Sequence, residues 1–313
     1  MPKFLDLFAG AGGLSEGFIQ AGYTPIAHVE MDVAACYTLK TRVAYHWLKA
    51  NGNLEVYHQY LRGEIKRDEF YAHIPEKVLN SVLNYEISND TIPEIFEKVD
   101  HLLGGEELDL IIGGPPCQTY SLAGRSRSET KMVGDKRNYL YRHYAKLLRK
   151  YRPKYFVFEN VLGLLSAKDE DGSRHFDNML KLFKEYGYST EFQSLNASDY
   201  GVLQNRKRII LIGKRGEYTD FYPNIPREVF QYKVGELFCD LPSIHAGEGV
   251  ITPVATKLYS EKYLFLSGIK ESDREAVTFL QARPNTNQDL EIYRIVFLIN
   301  RLRKRPNVSP SGT

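Results

Sequence analysis

The sequence predicts an α/β protein built on a doubly wound, mostly parallel sheet. Short apolar runs that suit buried strands alternate with longer stretches whose apolar residues recur at helical spacing. Glycine-rich or proline-rich segments follow two of these apolar runs, as at the ligand-binding ends of strands in open sheets. The chain has 313 residues and is 43% hydrophobic, which is enough for one large domain and a smaller one.

The amino-terminal part is predicted to begin with one complete β-α-β unit, whose crossover should be right-handed. Residues 51–107 are strongly charged and rich in tyrosine, which indicates an insertion or an elaborated crossover. We expect Cys36 and Trp47 to lie in the core. The predicted elements are, in order, a strand over 3–8, a helix over 14–21, a strand over 26–30, a helix over 32–50, and helical stretches over 76–83 and 92–103.

The remaining strands alternate with two amphipathic helices. Residues 122–138 are rich in Gly, Ser, Arg and Lys and lack apolar periodicity, which predicts a mobile loop. A last helix over 289–305 is expected to bury Ile292, Ile295, Val296 and Ile299. The other predicted elements are strands over 108–112, 155–158, 188–195 and 209–213, and helices over 139–151 and 174–186.

A stiff loop follows the apolar run at 108–112, with the sequence Gly113-Gly114-Pro115-Pro116-Cys117-Gln118-Thr119-Tyr120-Ser121. Because proline fixes φ and has no N–H, the Pro-Pro pair would hold the Cys117 thiol in one place at the carboxyl end of the strand. That position suits a nucleophile. The loop alone is explained equally well by a buried structural cysteine.

A glycine-rich turn, Asp6-Leu7-Phe8-Ala9-Gly10-Ala11-Gly12-Gly13, joins the first strand to the first helix. Its glycines would let a ligand approach the backbone, but their spacing differs from the G-x-G-x-x-G of dinucleotide sites. Glu30 ends the next strand, where an acid can accept hydrogen bonds from a ribose diol. Asp6 and Glu30 disfavour a pyrophosphate and favour a cationic amino-acid nucleoside. The pattern therefore indicates S-adenosylmethionine rather than NAD.

These residues resemble the cytosine-5 DNA methyltransferase family. The resemblance covers roughly residues 3–215, and it implies a Rossmann-like, class I methyltransferase sheet. It also implies methyl transfer from S-adenosylmethionine to carbon 5 of cytosine in double-stranded DNA, in a restriction-modification setting. Five ordered blocks carry it: Asp6 to Gly13, Glu30, Gly114 to Ser121, Glu159-Asn160-Val161, and Gln204-Asn205-Arg206-Lys207-Arg208.

The resemblance further implies the residues of the site. Cys117 would be the nucleophile, with Glu159, Arg206 and Arg208 as the other catalytic residues. Asp90 resembles the family's acid that contacts adenine, although a helix cap explains it equally well. The implied cofactor-binding residues are Asp6, Phe8, Ala9, Gly10, Gly12, Gly13, Leu14, Glu30, Met31, Asp90, Gly114, Pro116 and Leu140. The implied DNA-binding residues are Ser121, Arg125, Arg127, Lys131, Lys136 and Arg137.

The positions of the acid and the two arginines support this assignment. Glu159 ends the apolar strand at 155–158, where a carboxyl group holds a proton more readily unless it is hydrogen-bonded. An ordinary acid at a helix start is the alternative. Arg206 and Arg208 lie two residues apart at a strand start, so they should share one face. A basic cluster at a strand end is often incidental, and its place in the family pattern is what favours function.

The formal net charge of +2 hides an uneven distribution. Between Cys117 and Asn160 there are 11 Lys or Arg residues against 3 Asp or Glu residues. Such local excesses, rather than the total charge, govern affinity for nucleic acid. A solvated face is the alternative, but the basic residues directly follow Cys117, which favours contacts with DNA phosphates.

The number of cysteines and the length of the apolar runs exclude several classes of protein. Three widely separated cysteines argue against a disulfide framework or a zinc site, so we expect no metal and a reducing cytoplasm. The amino terminus lacks a basic region followed by an apolar core, and no run approaches about 18 apolar residues. Neither export nor membrane insertion is expected.

Residues 216–313 contain no plain block of the family. The resemblance implies a later segment with a Gly-Asn pair that helps close the cofactor pocket, and no Gly-Asn pair occurs in these residues. We therefore predict a catalytic and cofactor-binding domain over 1–215, with 51–107 as an insertion. Residues 216–313 should form a linker and a partial target-recognition region. Three interpretations of this departure stay open: one subunit of a split enzyme that a second polypeptide completes, a truncated or frameshifted gene product, and a degenerate member of the family.

Two other functions stay open at this stage. The same catalytic residues would serve methylation of cytosine in a transfer RNA, although the long basic loop favours DNA. The chain could also be a non-catalytic or partner-dependent subunit of a split methyltransferase. The presence of Cys117, Glu159 and Arg208 favours dependence on a partner over loss of catalysis. An NAD-linked oxidoreductase fails on the glycine spacing and on the cysteine loop.

Overall fold

The computed structural model describes residues 1–116, 139–169, 171–228, 232–256, 262–270 and 276–303. The chain divides into two compact units. The first comprises Met1–Tyr60 and Ile65–Gln231, and the second comprises Leu61–Glu64 and Tyr232–Thr313. The predicted functional division at residue 215 stays a prediction.

The centre of the first unit is a sheet of seven strands: β1 (Lys3–Leu7), β2 (Thr24–Glu30), β3 (Val82–Asn84), β4 (Leu110–Gly113), β5 (Tyr155–Asn160), β6 (Tyr188–Asn196) and β7 (Lys207–Arg215). Their order in space is β3-β2-β1-β4-β5-β7-β6. β7 runs antiparallel to both of its neighbours, and the other neighbouring pairs are parallel. The predicted α/β fold with a mostly parallel sheet is confirmed.

Helices pack on both faces of this sheet. The described α-helices between β1 and β7 are α1 (Gly13–Gln20), α2 (Val33–Ala50), α3 (Leu54–Leu61), α4 (Arg67–Ala72), α5 (Glu76–Leu79), α6 (Ile92–Leu103), α7 (Leu140–Tyr151) and α8 (His175–Glu185). Alternate residues of β1 point to opposite faces. Leu5 and Leu7 belong to the core with α6, α7 and α8, whereas Phe4 packs with Phe18 and Ile19 of α1. Burial on both faces is what a parallel sheet requires.

Residues 51–107 differ from their prediction in one element. The helical stretch expected over 76–83 is wrong in its second half, because α5 ends at Leu79 and Val82–Asn84 form the edge strand β3. β3 pairs in parallel with β2, with Leu83 opposite Val29. A short apolar run fits a helix or a strand equally well, so the pairing with β2 decides the outcome.

The residues between α2 and β3 pack on α2, whereas α6 packs in the core of the sheet. Ala44 and Leu48 of α2 form a second apolar cluster with Val56, Phe70 and Ile74, and Trp47 packs against its side. Cys36 is also buried, as predicted, and its Sγ donates to the carbonyl oxygen of Glu30 at 3.3 Å. Neither Cys36 nor Trp47 lines the pocket described below.

The described residues of the second unit form short elements and one long helix: α9 (Val234–Leu237), β8 (Gly249–Val250), β9 (Val254–Ala255), α10 (Lys262–Leu266), β10 (Ala276–Val277), β11 (Leu280–Gln281) and α11 (Asn287–Arg303). β9 pairs with β10 and β8 pairs with β11, both antiparallel. Across the described parts of the whole chain, no helix combines the length and the apolarity that crossing a membrane requires.

Helix α11 confirms the predicted helix but not its predicted burial. The expected core residues Ile292, Ile295, Val296 and Ile299 are between 45% and 49% exposed. Large apolar side chains on the other sides of the helix, such as Phe297, are exposed as well. Because apolar residues surround this helix instead of forming one stripe, the periodicity does not specify a single buried face.

Candidate active site

The turn between β1 and α1 is tight, and one of its glycines cannot be replaced without strain. Gly12 has φ +82°, and a Cβ built there would lie 3.0 Å from the Leu39 side chain and 3.1 Å from Nε of Arg42. Phe8 has φ 57°, a conformation that non-glycine residues rarely adopt. The turn therefore presses against α2 while the Phe8 ring faces the pocket described below.

Glu30 ties this turn to the carboxyl end of β2. Its Oε2 accepts a hydrogen bond from the Gly10 N–H at 2.8 Å, and its Oε1 accepts one from the Asp32 N–H at 2.8 Å. Asp6 lies beneath the turn and is only 1% exposed, with Oδ2 3.3 Å from Nδ1 of His28. Asp6 is thus buried below the turn instead of facing the pocket.

A pocket of about 180 Å³ opens where β1, β2, β3 and β4 end. Six of the predicted cofactor-binding residues come together in it: Phe8, Glu30, Met31, Gly114, Pro116 and Leu140. The others lie outside its lining: Asp6, Ala9, Gly10, Gly12, Gly13, Leu14 and Asp90. Among the described residues that line the pocket there are two acids, Glu30 and Glu86, and no Lys or Arg.

Sequence reasoning missed the part of this pocket that follows β3. Tyr85, Glu86 and Ile87 line it together with the predicted residues. Their position directly after a short apolar run could have identified them as residues at a strand end. Because that run was interpreted as helix, no strand end was predicted there. Asp90 is exposed and does not cap α6. The start of that helix is instead held by Ser88 and Thr91, whose hydroxyl oxygens lie 3.0 Å apart.

Glu159 lies next to two arginines at the same edge of the sheet. Nε of Arg208 is 2.7 Å from Oε1 of Glu159, and a guanidinium nitrogen of Arg206 is 3.6 Å from the same oxygen. The two arginines reach one carboxylate, as their spacing predicts. Arg208 is the stronger partner because it is closer and its side chain is 23% exposed, against 51% for Arg206.

The loop after β4 is fastened beside this carboxylate. Nδ2 of Asn160, a residue only 1% exposed, donates to the carbonyl oxygen of Pro115 at 3.2 Å. A Cβ built on Gly114 would lie 2.8 Å from Oε2 of Glu159 and 3.1 Å from its carbonyl oxygen. Glycine is therefore required at 114 to bring the two loops together, and Pro116, the last residue before Cys117, lines the pocket.

The rest of the predicted site lies outside the described residues. This holds for the proposed nucleophile and for every residue expected to contact DNA: Cys117, Ser121, Arg125, Arg127, Lys131, Lys136 and Arg137. Their roles stay predictions. Within the parts of the chain that the structure describes, no group of three His, Cys, Asp or Glu residues could hold a metal ion.

Replacing Gly114 with alanine should impair the site more than the fold. The new methyl group would displace the Glu159 carboxylate from Arg208, whereas the contact with the Glu159 carbonyl is tight but can be relieved by a small shift. We expect methyl transfer to fall by at least about tenfold and the free energy of unfolding to fall by only about 1 kcal/mol. Gly17→Ala is the matched control, since nothing lies within 4 Å of a Cβ there and alanine stabilises a helix interior. Equal effects of the two variants would contradict this account.

A polar network supports the glycine turn from α2. The Glu16 carboxylate lies 2.5 Å from a guanidinium nitrogen of Arg42 and 3.0 Å from Nε2 of His46. Burial alone would raise the pKa of Glu16, but the hydrogen bonds from His46 and Gln20 and the charges of His46 and Arg42 together lower it from 4.5.

This network should make stability depend on pH on the acid side. A carboxyl group whose pKa is lowered by folding stabilises the fold above its unfolded pKa, and that contribution is lost as the pH falls through the folded pKa. Urea titrations between about pH 6 and pH 3 should therefore show a smaller loss of unfolding free energy for Glu16→Gln than for the wild type. Parallel curves for the two proteins would contradict the expectation.

The comparisons with known proteins agree with this geometry. The C-5 cytosine-specific DNA methylase family matches residues 2–54 and 78–293. The match leaves out α4 and nearly all of α3, and it extends beyond residue 215, where we placed the end of the resemblance. The second unit therefore carries more of the family pattern than the sequence blocks indicated.

Curated relatives and a solved structure give the same family. The chain is 35% identical to the Type II methyltransferase M.Bpa9945I of Bacillus paralicheniformis, over 93% of this chain and 73% of that protein. It is 33% identical to the Type II methyltransferase M.XorII of Xanthomonas oryzae, over 77% of this chain and 46% of that protein. A DNA modification methyltransferase encoded within a prophage of E. coli has a similar fold, with a TM-score of 0.59 and 21% identity over 94% of this chain and 75% of that one.

The chain spans about half to three-quarters of the length of these curated relatives. The fold is that of class I methyltransferases. The family match covers most of the 313 residues. The chain therefore belongs to the C-5 cytosine-specific DNA methylase family, whose members are DNA cytosine methyltransferases.

Proposed function

We propose that this chain transfers a methyl group from S-adenosylmethionine to carbon 5 of cytosine in double-stranded DNA. The observation that carries the proposal is the Glu159–Arg208 pair, which lies against Gly114 and thus beside the segment that leads to Cys117. An acid-lined pocket at the ends of β1 to β4 lies next to this pair along the same sheet edge. Family membership supports cytosine in DNA as the substrate.

The residues of the pocket fit S-adenosylmethionine. Phe8, Ile87 and Leu140 would contact the adenine ring, and Glu30 would accept hydrogen bonds from the ribose hydroxyls. Both Glu30 oxygens already accept a backbone N–H, yet a carboxylate has acceptor capacity left for two hydroxyls. Two acids without a basic partner in the described lining suit a cationic ligand that has no phosphate. The bound cofactor supplies an electrophilic methyl group.

Carbon 5 of cytosine is too weak a nucleophile to take that methyl group directly, so Cys117 is assigned the role of activating it. Its thiolate forms a bond to carbon 6, and the electrons of the ring double bond become available at carbon 5. Glu159 holds a proton at ring nitrogen 3, which stabilises the charge that develops. Arg208 orients Glu159 and contacts the cytosine oxygen, and Arg206 supports the pair.

The reaction closes by restoring the ring. After carbon 5 has taken the methyl group, a base removes the proton from carbon 5 and the bond between sulfur and carbon 6 breaks. None of these steps can occur inside a stacked duplex, so the target nucleotide is flipped out at a cost of a few kcal/mol. The basic residues from Arg125 to Arg137 would offset that cost through phosphate contacts.

The test uses the full chain, labelled S-adenosylmethionine and DNA that lacks 5-methylcytosine, with transfer RNA in a parallel reaction. We expect label and 5-methylcytosine in the DNA alone, detected by nuclease digestion and mass spectrometry. Duplex DNA containing 5-fluorocytosine should trap Cys117 covalently. A fluorine atom replaces the hydrogen at carbon 5, so a base has no proton to remove there and the bond between sulfur and carbon 6 does not break. Label in the RNA alone would overturn the assignment of the substrate.

Dependence on a second polypeptide is the alternative to methylation by the chain alone. Binding of S-adenosylhomocysteine without methylation of either nucleic acid would indicate a partner-dependent subunit of a split enzyme. Absence of both binding and methylation would overturn the proposed function as a whole.

A further inference from the structure

The carboxyl end of β3 holds the neighbouring strand end through one side chain. Nδ2 of Asn84 lies 3.0 Å from the carbonyl oxygen of Glu30 and 2.9 Å from that of Met31. A side-chain amide has two N–H donors, one for each of these consecutive carbonyls, whereas a carboxylate of the same shape has none. Asn84 therefore fixes the backbone of two residues that line the pocket.

The next residue, Tyr85, is held at three points. Its backbone N–H donates to the Glu30 carbonyl oxygen at 3.0 Å, and its hydroxyl donates to the carboxylate of Glu94 on α6. The hydrogen bond to Glu94 raises the pKa of Tyr85 from 10 to about 12. Nζ of Lys98 lies 6.0 Å from the ring centre. The ring is thus anchored to α6 while it lines the pocket beside Glu86 and Ile87.

We propose that Asn84 and Tyr85 are positioning residues of the nucleoside pocket: Asn84 sets the backbone that presents Glu30, and Tyr85 sets the wall that carries Glu86. The inference rests on the proposed function, since the ligand is the nucleoside of that reaction. Neither residue belongs to the predicted set or performs chemistry on the substrate. Their effect is on how well the pocket is preorganised, because a loose wall must be ordered each time the ligand binds.

Calorimetric titration with S-adenosylhomocysteine tests the inference without any methyl transfer. Asn84→Asp replaces two donors by a carboxylate that faces two carbonyls, so we expect its Kd to rise by at least about tenfold. Tyr85→Phe keeps the ring and loses the bond to Glu94, for which a rise of about threefold to tenfold is expected. In DNA methylation assays, both variants should raise the KM for S-adenosylmethionine while kcat at saturating cofactor stays near the wild-type value.

Matched controls separate positioning from general stability. Asn80→Asp removes another side-chain amide in the same segment, whose Nδ2 donates to Oε1 of Glu76 at 3.2 Å. Tyr151→Phe removes another tyrosine hydroxyl that bonds to α6, at the Phe96 carbonyl oxygen, away from the pocket. Both controls should bind S-adenosylhomocysteine as the wild type does.

The outcomes separate this inference from the proposed function. If the wild type binds S-adenosylhomocysteine and Asn84→Asp binds it equally well, the positioning role is overturned and the proposed function stands. Equal weakening by Asn80→Asp and Asn84→Asp would also overturn it, since the effect would then be a general loss of stability. If the wild type fails to bind this ligand, the proposed function itself is overturned.

Discussion

Cys117→Ser should lower the rate of methyl transfer by at least about a thousandfold, because a serine hydroxyl at neutral pH is a far weaker nucleophile than a thiolate. Binding of S-adenosylhomocysteine should stay within about threefold of the wild type, since the sulfur is assigned to the base and not to the nucleoside. Single-turnover methylation and calorimetry measure the two quantities separately. A large loss of methyl-transfer rate without a loss of cofactor binding is the result that identifies Cys117 as the nucleophile.

The matched control is Cys239→Ser in the second unit. Cys239 is partly exposed, and its Sγ donates to the carbonyl oxygen of Glu236 at 3.1 Å. A serine hydroxyl can make the same contact, so methyl transfer should be unchanged. If Cys117→Ser lost cofactor binding together with activity, Cys117 would be a structural residue and the covalent mechanism would have to be abandoned.

The second large effect is expected at the ion pair that Glu159 forms with Arg208. Arg208→Met should lower kcat by about 10²–10³, the loss seen when one preorganised partner of a developing charge is removed. Glu159→Gln should have an effect of similar size, because an amide cannot hold the proton at ring nitrogen 3. Since the two residues act as one unit, the double variant should be little worse than either single variant.

Arg206→Met provides the graded comparison. Its guanidinium lies 3.6 Å from the shared oxygen and is about half exposed, so solvent screens most of the interaction. We expect a loss of less than about tenfold in kcat. A larger loss for Arg206→Met than for Arg208→Met would show that the 2.7 Å contact is not the one that matters for the reaction.

The strand ends could be predicted because apolar runs stop at residues with special conformations or charges. β2 ends at Glu30 as predicted, and β4 ends at Gly113, one residue beyond the predicted strand. A parallel sheet then brings such ends to one edge, so six predicted residues meet in one pocket without any contact having been inferred between them. The prediction failed at β3, because three residues are too few for periodicity to distinguish a strand from a helix.

The approach of Arg208 to Glu159 required the tertiary structure. The two residues are far apart in the chain, and they meet because β7 pairs with β5 in the antiparallel direction, with Ile210 opposite Glu159. Spacing predicted that Arg206 and Arg208 share a face, but it could not say which strand lies beside them. Likewise, the apolar residues of α11 suggested burial, and their exposure depends on neighbours that a helical pattern does not identify.

The sequence by itself determined the class of fold, the order of most of its elements and which residue types stand at the ends of β1, β2, β4 and β5, because these follow from local patterns of apolar, glycine and charged residues. Only the tertiary structure decided that Asn84 holds the carbonyls of Glu30 and Met31, that Tyr85 lines the pocket and that Gly114 makes room for Glu159. Those facts depend on which strands are neighbours and in which register. Neighbour choice and register are set by packing over the whole sheet, which no short stretch of sequence contains.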